Sequence, residues 1–168
     1  DVAGIEPHIV TLPLEDKTPL SFFDSSVIII AFPPGLRNSS EEAYLNKIES
    51  ILPFINSSTA QLVIHISTTS IYKALNKTLS ESDADEQSIH FKVEDMLRKA
   101  CIGTTSFISA RCGGLMGYDR YPCKYVKGNK PVNGGKNGVN YIHRDDVVKI
   151  LIGLIKKIDN LKLKMIKV

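Results

Sequence analysis

Residues 61–73 read QLVIHISTTSIYK, and this stretch decides the fold. Its first part, Leu62–Ile66, is almost continuously apolar and rich in β-branched side chains. This composition predicts a strand that is buried on both faces of a parallel sheet. Hydroxyl side chains follow directly over residues 67–70, at the carboxyl end of the strand, where ligands bind in open α/β sheets. The alternative interpretation is that these hydroxyls only begin a turn.

Predicted strands and helices alternate on both sides of this stretch. The predicted strands are residues 8–12, 27–31, 61–67, 104–110 and 161–168. Helices are predicted after Ser39, after one of Ser82, Asp83 or Asp85, and around Asp145 and Asp146. In the first helix, Ser39 and Glu42 have the spacing of a capping box, and Pro53 is expected to end or kink the helix. The alternation predicts a doubly wound α/β fold with a parallel sheet, built as one domain over residues 1–168.

Composition and charge argue against several classes of protein. The net charge is only +3, and no basic stripe is interleaved with aromatic residues, so we expect no nucleic-acid partner. No apolar run reaches spanning length and no signal peptide opens the chain, so we expect no membrane partner and a cytoplasmic location. The three cysteines, Cys101, Cys112 and Cys123, form no CxxC pair, which argues against a disulfide framework and a zinc site.

Four segments, in order, resemble the extended and atypical short-chain dehydrogenase/reductases, the NAD-dependent epimerase/dehydratase family. These segments are VIIIAFPPG from residue 27, VIHISTTSIY from residue 63, ISARCGGLMGYDRYP from residue 108 and VNYIHRDDVVKIL from residue 139. The resemblance implies a Rossmann-like sheet that binds NAD or NADP. It also implies a small-molecule substrate, with hydride transfer at an alcohol or carbonyl carbon that can belong to a sugar nucleotide.

The same resemblance implies which residues form the site. Thr68 matches the catalytic hydroxyl of the family. The implied cofactor-binding residues are Ala31, Phe32, Pro33, Ser67, Thr69, Gly113 and Gly114. The first three would line the adenosine side, and the two glycines would let the backbone approach the nicotinamide. Turns that require positive φ are the alternative role of the glycines.

The chain departs from the family at its beginning. It contains no G-x-G-x-x-G turn, and residues 8–12 resemble the third strand of the family, so the first βαβ unit is absent. The strand at residues 27–31 would then expose a long hydrophobic edge. We therefore expect a piece of a larger protein, or a chain that needs another chain to complete its sheet, and a homodimer remains open. We also expect the 168 residues alone to bind no dinucleotide tightly.

A second departure concerns the catalytic Tyr-x-x-x-Lys pair, which is missing. The resemblance aligns Glu86 with the tyrosine and His90 with the lysine. At i, i+4 spacing on one helix they could act as an unusual acid/base pair, or form an exposed ion pair of a few tenths of a kcal/mol. Two hypotheses follow: an NAD(P)-dependent oxidoreductase, or a catalytically inert dinucleotide-sensing or scaffold protein on the same fold.

Overall fold

The computed structural model describes residues 4–14, 20–73, 77–125 and 138–165, and it has an α/β architecture. In chain order the elements are β1 (Val27–Ile30), α1 (Glu41–Ser57), β2 (Leu62–Thr68), α2 (Ile89–Ala100), β3 (Ser106–Cys112), β4 (Gly114–Met116), β5 (Tyr141–His143) and α3 (Arg144–Met165). The chain divides into two compact units. The first comprises residues 1–67 and 71–110, and the second residues 68–70 and 111–168.

The first unit is built on a parallel sheet with the strand order β1-β2-β3. Val27 lies opposite Leu62, and Ile30 lies opposite His65. The amide N–H of Ser106 donates to the Gln61 carbonyl at 2.9 Å, which sets β3 in register with β2. In a parallel pair this bond places Ser109 opposite His65, so both side chains lie on the same face of the sheet.

Helices α1 and α2 pack on this face and on each other. Their apolar stripes meet the alternate strand residues Ile30 and Val63, and Val93 and Leu97 of α2 are fully buried there. Each such side chain stabilises the fold by roughly 1.5–3 kcal/mol relative to an exposed position. These apolar contacts therefore fix the helices α1 and α2 against the sheet.

The first helix begins one residue later than its predicted cap. Ser40, not Ser39, is the N-cap, and its Oγ accepts a hydrogen bond from the Ala43 amide at 3.1 Å. The Oγ of Ser39 instead donates to the Gly35 carbonyl at 3.2 Å. Pro53 does not end the helix, which continues to Ser57. The periodic apolar face packs on the sheet beyond the proline, and this packing outweighs the lost backbone bond.

Helix α2 also begins later than predicted. Its N-cap is Ser88, whose Oγ accepts from the His90 amide at 3.1 Å, so none of Ser82, Asp83 and Asp85 caps it. The first two of these residues lie in a separate 3-10 turn, Glu81–Asp83. Asp85 forms an ion pair with Lys73 and is thereby engaged elsewhere.

The predicted strand at residues 8–12 is wrong. These residues pair with no strand among the residues that the structure describes, and Ile9 is fully exposed. Leu12 and Leu14 pack against the core instead, beside β1. Between this segment and β1 lies an apolar groove of about 330 Å³, so the outer edge of the sheet is hydrophobic.

The second unit contains a parallel pair of short strands, β4 and β5, that is not among the predicted strands. Gly114 of β4 lies opposite Tyr141 of β5, and Met116 lies opposite His143. Helix α3 follows β5 directly. The predicted strand at 161–168 is wrong as far as Met165, because α3 continues to that residue, and residues 166–168 lie outside the described chain. The segment is rich in Leu, Lys and Met, which are good helix formers, and no glycine or proline separates it from the helix.

Within the described parts of the chain, no helix combines the length and the apolar character needed to cross a membrane.

Candidate functional site

A buried polar bond joins the end of β2 to helix α2. Ser67 Oγ donates to Glu94 Oε1 at 2.6 Å, and each residue is only 7% exposed. The short distance is typical of a hydroxyl that donates to a carboxylate. Ser67 is a predicted cofactor-binding residue, and in the first unit its hydroxyl proton is engaged by Glu94.

His65 lies two residues before Ser67, on the same face of β2. It is 2% exposed, and burial lowers the pKa of its imidazole from 6.5 to about 4. The charge of Glu94 opposes this shift, and the charge of His90 adds to it. His65 is therefore neutral near pH 7. Among the described groups, neither His65 Nδ1 nor the neighbouring Ser109 Oγ has a hydrogen-bond partner.

His90 completes this arrangement from α2, one turn before Glu94. Burial lowers the pKa of its imidazole, and the carboxylates of Glu94 and Glu41 oppose the shift. We call His65, Ser67, His90 and Glu94 the β2–α2 polar cluster. Glu94 was missed in the sequence. The available signal was a carboxylate that stands beside Val93 in the apolar stripe and four residues after His90.

The predicted helical pair of Glu86 and His90 does not form. Glu86 precedes the Ser88 cap, so it lies outside α2 and its side chain is exposed. The i, i+4 relation that aligns two side chains holds only inside a helix. On α2, the residue that shares a face with His90 in this way is Glu94.

Thr68 begins a tight turn at the end of β2. Its Oγ1 accepts from the Ser70 amide at 3.1 Å and donates to Ser70 Oγ at 3.1 Å. A short 3-10 helix, Thr69–Ile71, starts directly after it. These bonds are those of the turn-forming alternative, although the half-buried hydroxyl still has acceptor capacity for a ligand.

Gly113 and Gly114 lie against β5. A Cβ at Gly113 would stand 2.8 Å from the Asn140 carbonyl oxygen, and one at Gly114 would stand 2.8 Å from the Tyr141 ring. Neither glycine has positive φ. Close packing between the β4 and β5 segments thus explains why both positions are glycine. Atoms of Asn140 and Tyr141 occupy the space beside them.

A cluster around the start of α3 follows this strand pair. The Tyr118 hydroxyl donates to the Asp145 carboxylate, at 3.0 Å and 3.1 Å from its two oxygens. The Arg144 guanidinium lies 3.7 Å from the centre of the Tyr118 ring. His143 Nδ1 accepts from the Asp145 amide at 3.2 Å, so the neutral imidazole carries its proton on Nε2.

The predicted site residues divide between the two units. Ala31, Phe32 and Pro33 follow β1 in the first unit, which also contains Ser67, Glu86 and His90. The second unit contains Thr68, Thr69, Gly113 and Gly114. The register of β1 and β2 brings Phe32 and Ser67 to the same end of the sheet.

Pyrophosphate fits poorly at the N-termini of α1 and α3. Helix α1 starts with Glu41 and Glu42, and α3 has Asp145 and Asp146 in its first turn. These carboxylates occupy the positive end of each helix dipole and repel a phosphate. The N-termini of α1 and α3 are therefore poor sites for a phosphate group.

The chain is similar to Protein YeeZ of Escherichia coli (strain K12) and to Protein YeeZ of Escherichia coli O157:H7. Each is 24% identical over 164 residues, which cover 92% of this chain and 59% of the relative. The chain thus spans about three fifths of the length of these curated relatives. No family model matches it, and no solved structure matches it.

Proposed function

We propose that the chain forms part of an NAD(P)-binding domain of the epimerase/dehydratase type, with a Rossmann-like, doubly wound fold. The observation that carries this proposal is the β1-α1-β2-α2-β3 order with adjacent parallel strands. In such sheets ligands bind outside the carboxyl ends of the strands. Phe32 and Ser67 stand at these ends, and the four family-like segments include both.

The proposed activity is hydride transfer between a nicotinamide cofactor and an alcohol or carbonyl carbon of a small molecule. When bound, the cofactor would supply the hydride acceptor or donor. In this chain, Ala31, Phe32 and Pro33 would contact the adenosine side. Thr68 would orient the substrate oxygen, because its hydroxyl can still accept a hydrogen bond.

A second candidate is a catalytically inert dinucleotide-sensing or scaffold protein. It is favoured by the position of Glu86 outside α2 and by the engagement of His90 in the β2–α2 polar cluster. Neither residue is well placed to exchange a proton with a substrate. Glu86 lies outside the helix and is not aligned with His90, and His90 is half-buried.

One experiment tests binding and activity separately. NADH and NADPH are titrated against the intact protein, with nicotinamide fluorescence and thermal unfolding as readouts, and alcohol and sugar-nucleotide panels are then assayed for hydride transfer. Binding with turnover that Thr68→Ala reduces supports the oxidoreductase. Binding without turnover supports the sensor. The absence of binding to either nucleotide refutes the oxidoreductase and the sensor, and it leaves the scaffold.

A further inference from the structure

The β2–α2 polar cluster is a buried polar connection among apolar neighbours. Ser67 and Glu94 are separated by 27 residues along the chain, yet their side chains join the strand to the helix. Around them, Val63, Val93 and Leu97 are fully buried. If the Glu94 carboxylate moves away from Ser67, this hydrogen bond is lost. The surrounding apolar side chains cannot form another one.

His65 is the group that can draw the Glu94 carboxylate away from Ser67. It is buried on the same face of β2 as Ser67, and its Nδ1 has no partner among the described groups. A protonated imidazole must donate from both nitrogens, so it requires an acceptor that the neutral form does not. A positive charge at this position also requires a counter-ion, because burial removes most of its hydration.

Among the residues that the structure describes, two ionisable groups act on His65. From α2, Glu94 and His90 act on it, and Glu41 of α1 acts on His90 in turn. The in-register neighbours on β1 and β3, Ile30 and Ser109, carry no charge. The Glu94 carboxylate is thus the counter-ion available to a charged His65, and it is already bonded to Ser67.

We propose that the β2–α2 polar cluster is an acid-sensitive latch, in which a proton on His65 draws Glu94 away from Ser67 and loosens the middle of α2 around Glu94. The proton comes from solvent, and no covalent bond other than the new N–H is made. His90 strengthens the response when it is protonated as well, because a second positive charge competes for the same carboxylate. The latch does not depend on the proposed function.

Hydrogen exchange read by mass spectrometry tests the latch. After correction for intrinsic rates, we expect the amides of residues 92–96 to exchange at least about tenfold faster near pH 5 than near pH 7. The amides of Ile48–Ile55 in α1 should keep their protection. His65→Gln should remove the pH response, whereas His8→Gln, at an exposed histidine, should leave it unchanged.

Three results would overturn the proposal: equal protection at the two pH values, a response that persists in His65→Gln, or simultaneous loss of protection in α1 and α2. A measurement on the unmodified chain covers the case in which His65→Gln does not fold. In an NMR titration, protonation of the His65 ring should coincide with a shift of the Glu94 carboxyl carbon, and independent titration of the two would contradict the latch.

Discussion

Ser67 at the end of β2 donates its hydroxyl proton to Glu94 of α2 at 2.6 Å, inside the first unit. Both residues are nearly fully buried. The bond fixes the side chain that directly precedes the predicted catalytic hydroxyl, Thr68. Two interactions therefore hold the carboxyl end of β2: the bond from Ser67 to α2, and the turn that Thr68 forms with Ser70.

The bond should make a measurable contribution to stability. Ser67→Ala removes a donor from a buried carboxylate, so we expect the free energy of unfolding to fall by about 1–3 kcal/mol. Urea unfolding followed by circular dichroism measures this. Ser109→Ala is the matched control, since the Ser109 hydroxyl has no partner among the described groups, and it should change stability by less than about 0.5 kcal/mol. Equal losses of unfolding free energy in the two variants would show that the Ser67–Glu94 bond contributes no more to stability than an unpaired hydroxyl does.

Helix α1 offers a test of the corrected cap. Ser40→Ala should lower the free energy of unfolding by about 1 kcal/mol, because the Ala43 amide loses its acceptor. Ser39→Ala removes only an exposed hydroxyl bond to Gly35 and should have a smaller effect, below about 0.5 kcal/mol. The reverse order in the same urea measurement would restore Ser39 as the cap.

Stability should fall as the pH is lowered through the range set by His65. Burial lowers the pKa of this imidazole from 6.5 to about 4, so between these values the unfolded chain binds a proton that the folded chain does not. The contribution of His65 to the free energy of unfolding therefore decreases with falling pH, by roughly 3 kcal/mol once the pH is below 4. Urea midpoints across this range should show a weaker dependence for His65→Gln than for the wild type. Identical pH profiles would exclude His65 as the cause.

In the second unit, the close approach of β4 to β5 depends on glycine. Gly113→Ala would set a Cβ 2.8 Å from the Asn140 carbonyl oxygen, so we expect a loss of about 1–3 kcal/mol in unfolding free energy. Gly138→Ala meets none of the described atoms within 4 Å and should be neutral or slightly stabilising. Equal thermal stability of Gly113→Ala and the wild type would show that the strands can separate without loss.

The apolar patterns predicted most of the first unit. Continuous β-branched runs identified β1 and β2, and helical spacing identified α1 and α2, because burial against a sheet depends on the positions of apolar residues. The same kind of pattern wrongly predicted a strand at residues 8–12. Their pattern suits a strand, but a strand also requires a neighbour, and a sequence pattern does not supply one.

The polar details were less predictable. Several serines and aspartates precede each helix. Backbone geometry, which local spacing does not determine, makes Ser40 rather than Ser39 the cap of α1 and makes Ser88 the cap of α2. Glu94 was missed because a single carboxylate in an apolar stripe usually faces solvent. Its partner, Ser67, is distant in sequence, so only the packing of α2 on β2 brings the two together.

The central claim, nucleotide binding, is tested most directly by titrating NADH and NADPH against the intact protein while its thermal unfolding is followed. The account predicts an increase in apparent stability of about 2.7 kcal/mol at a hundredfold excess over Kd for the preferred nucleotide. The 168 residues alone should show little or no shift, because they contain no G-x-G-x-x-G turn, which holds the pyrophosphate in the family that they resemble. If the intact protein shows no shift with either nucleotide, the dinucleotide-binding account is wrong.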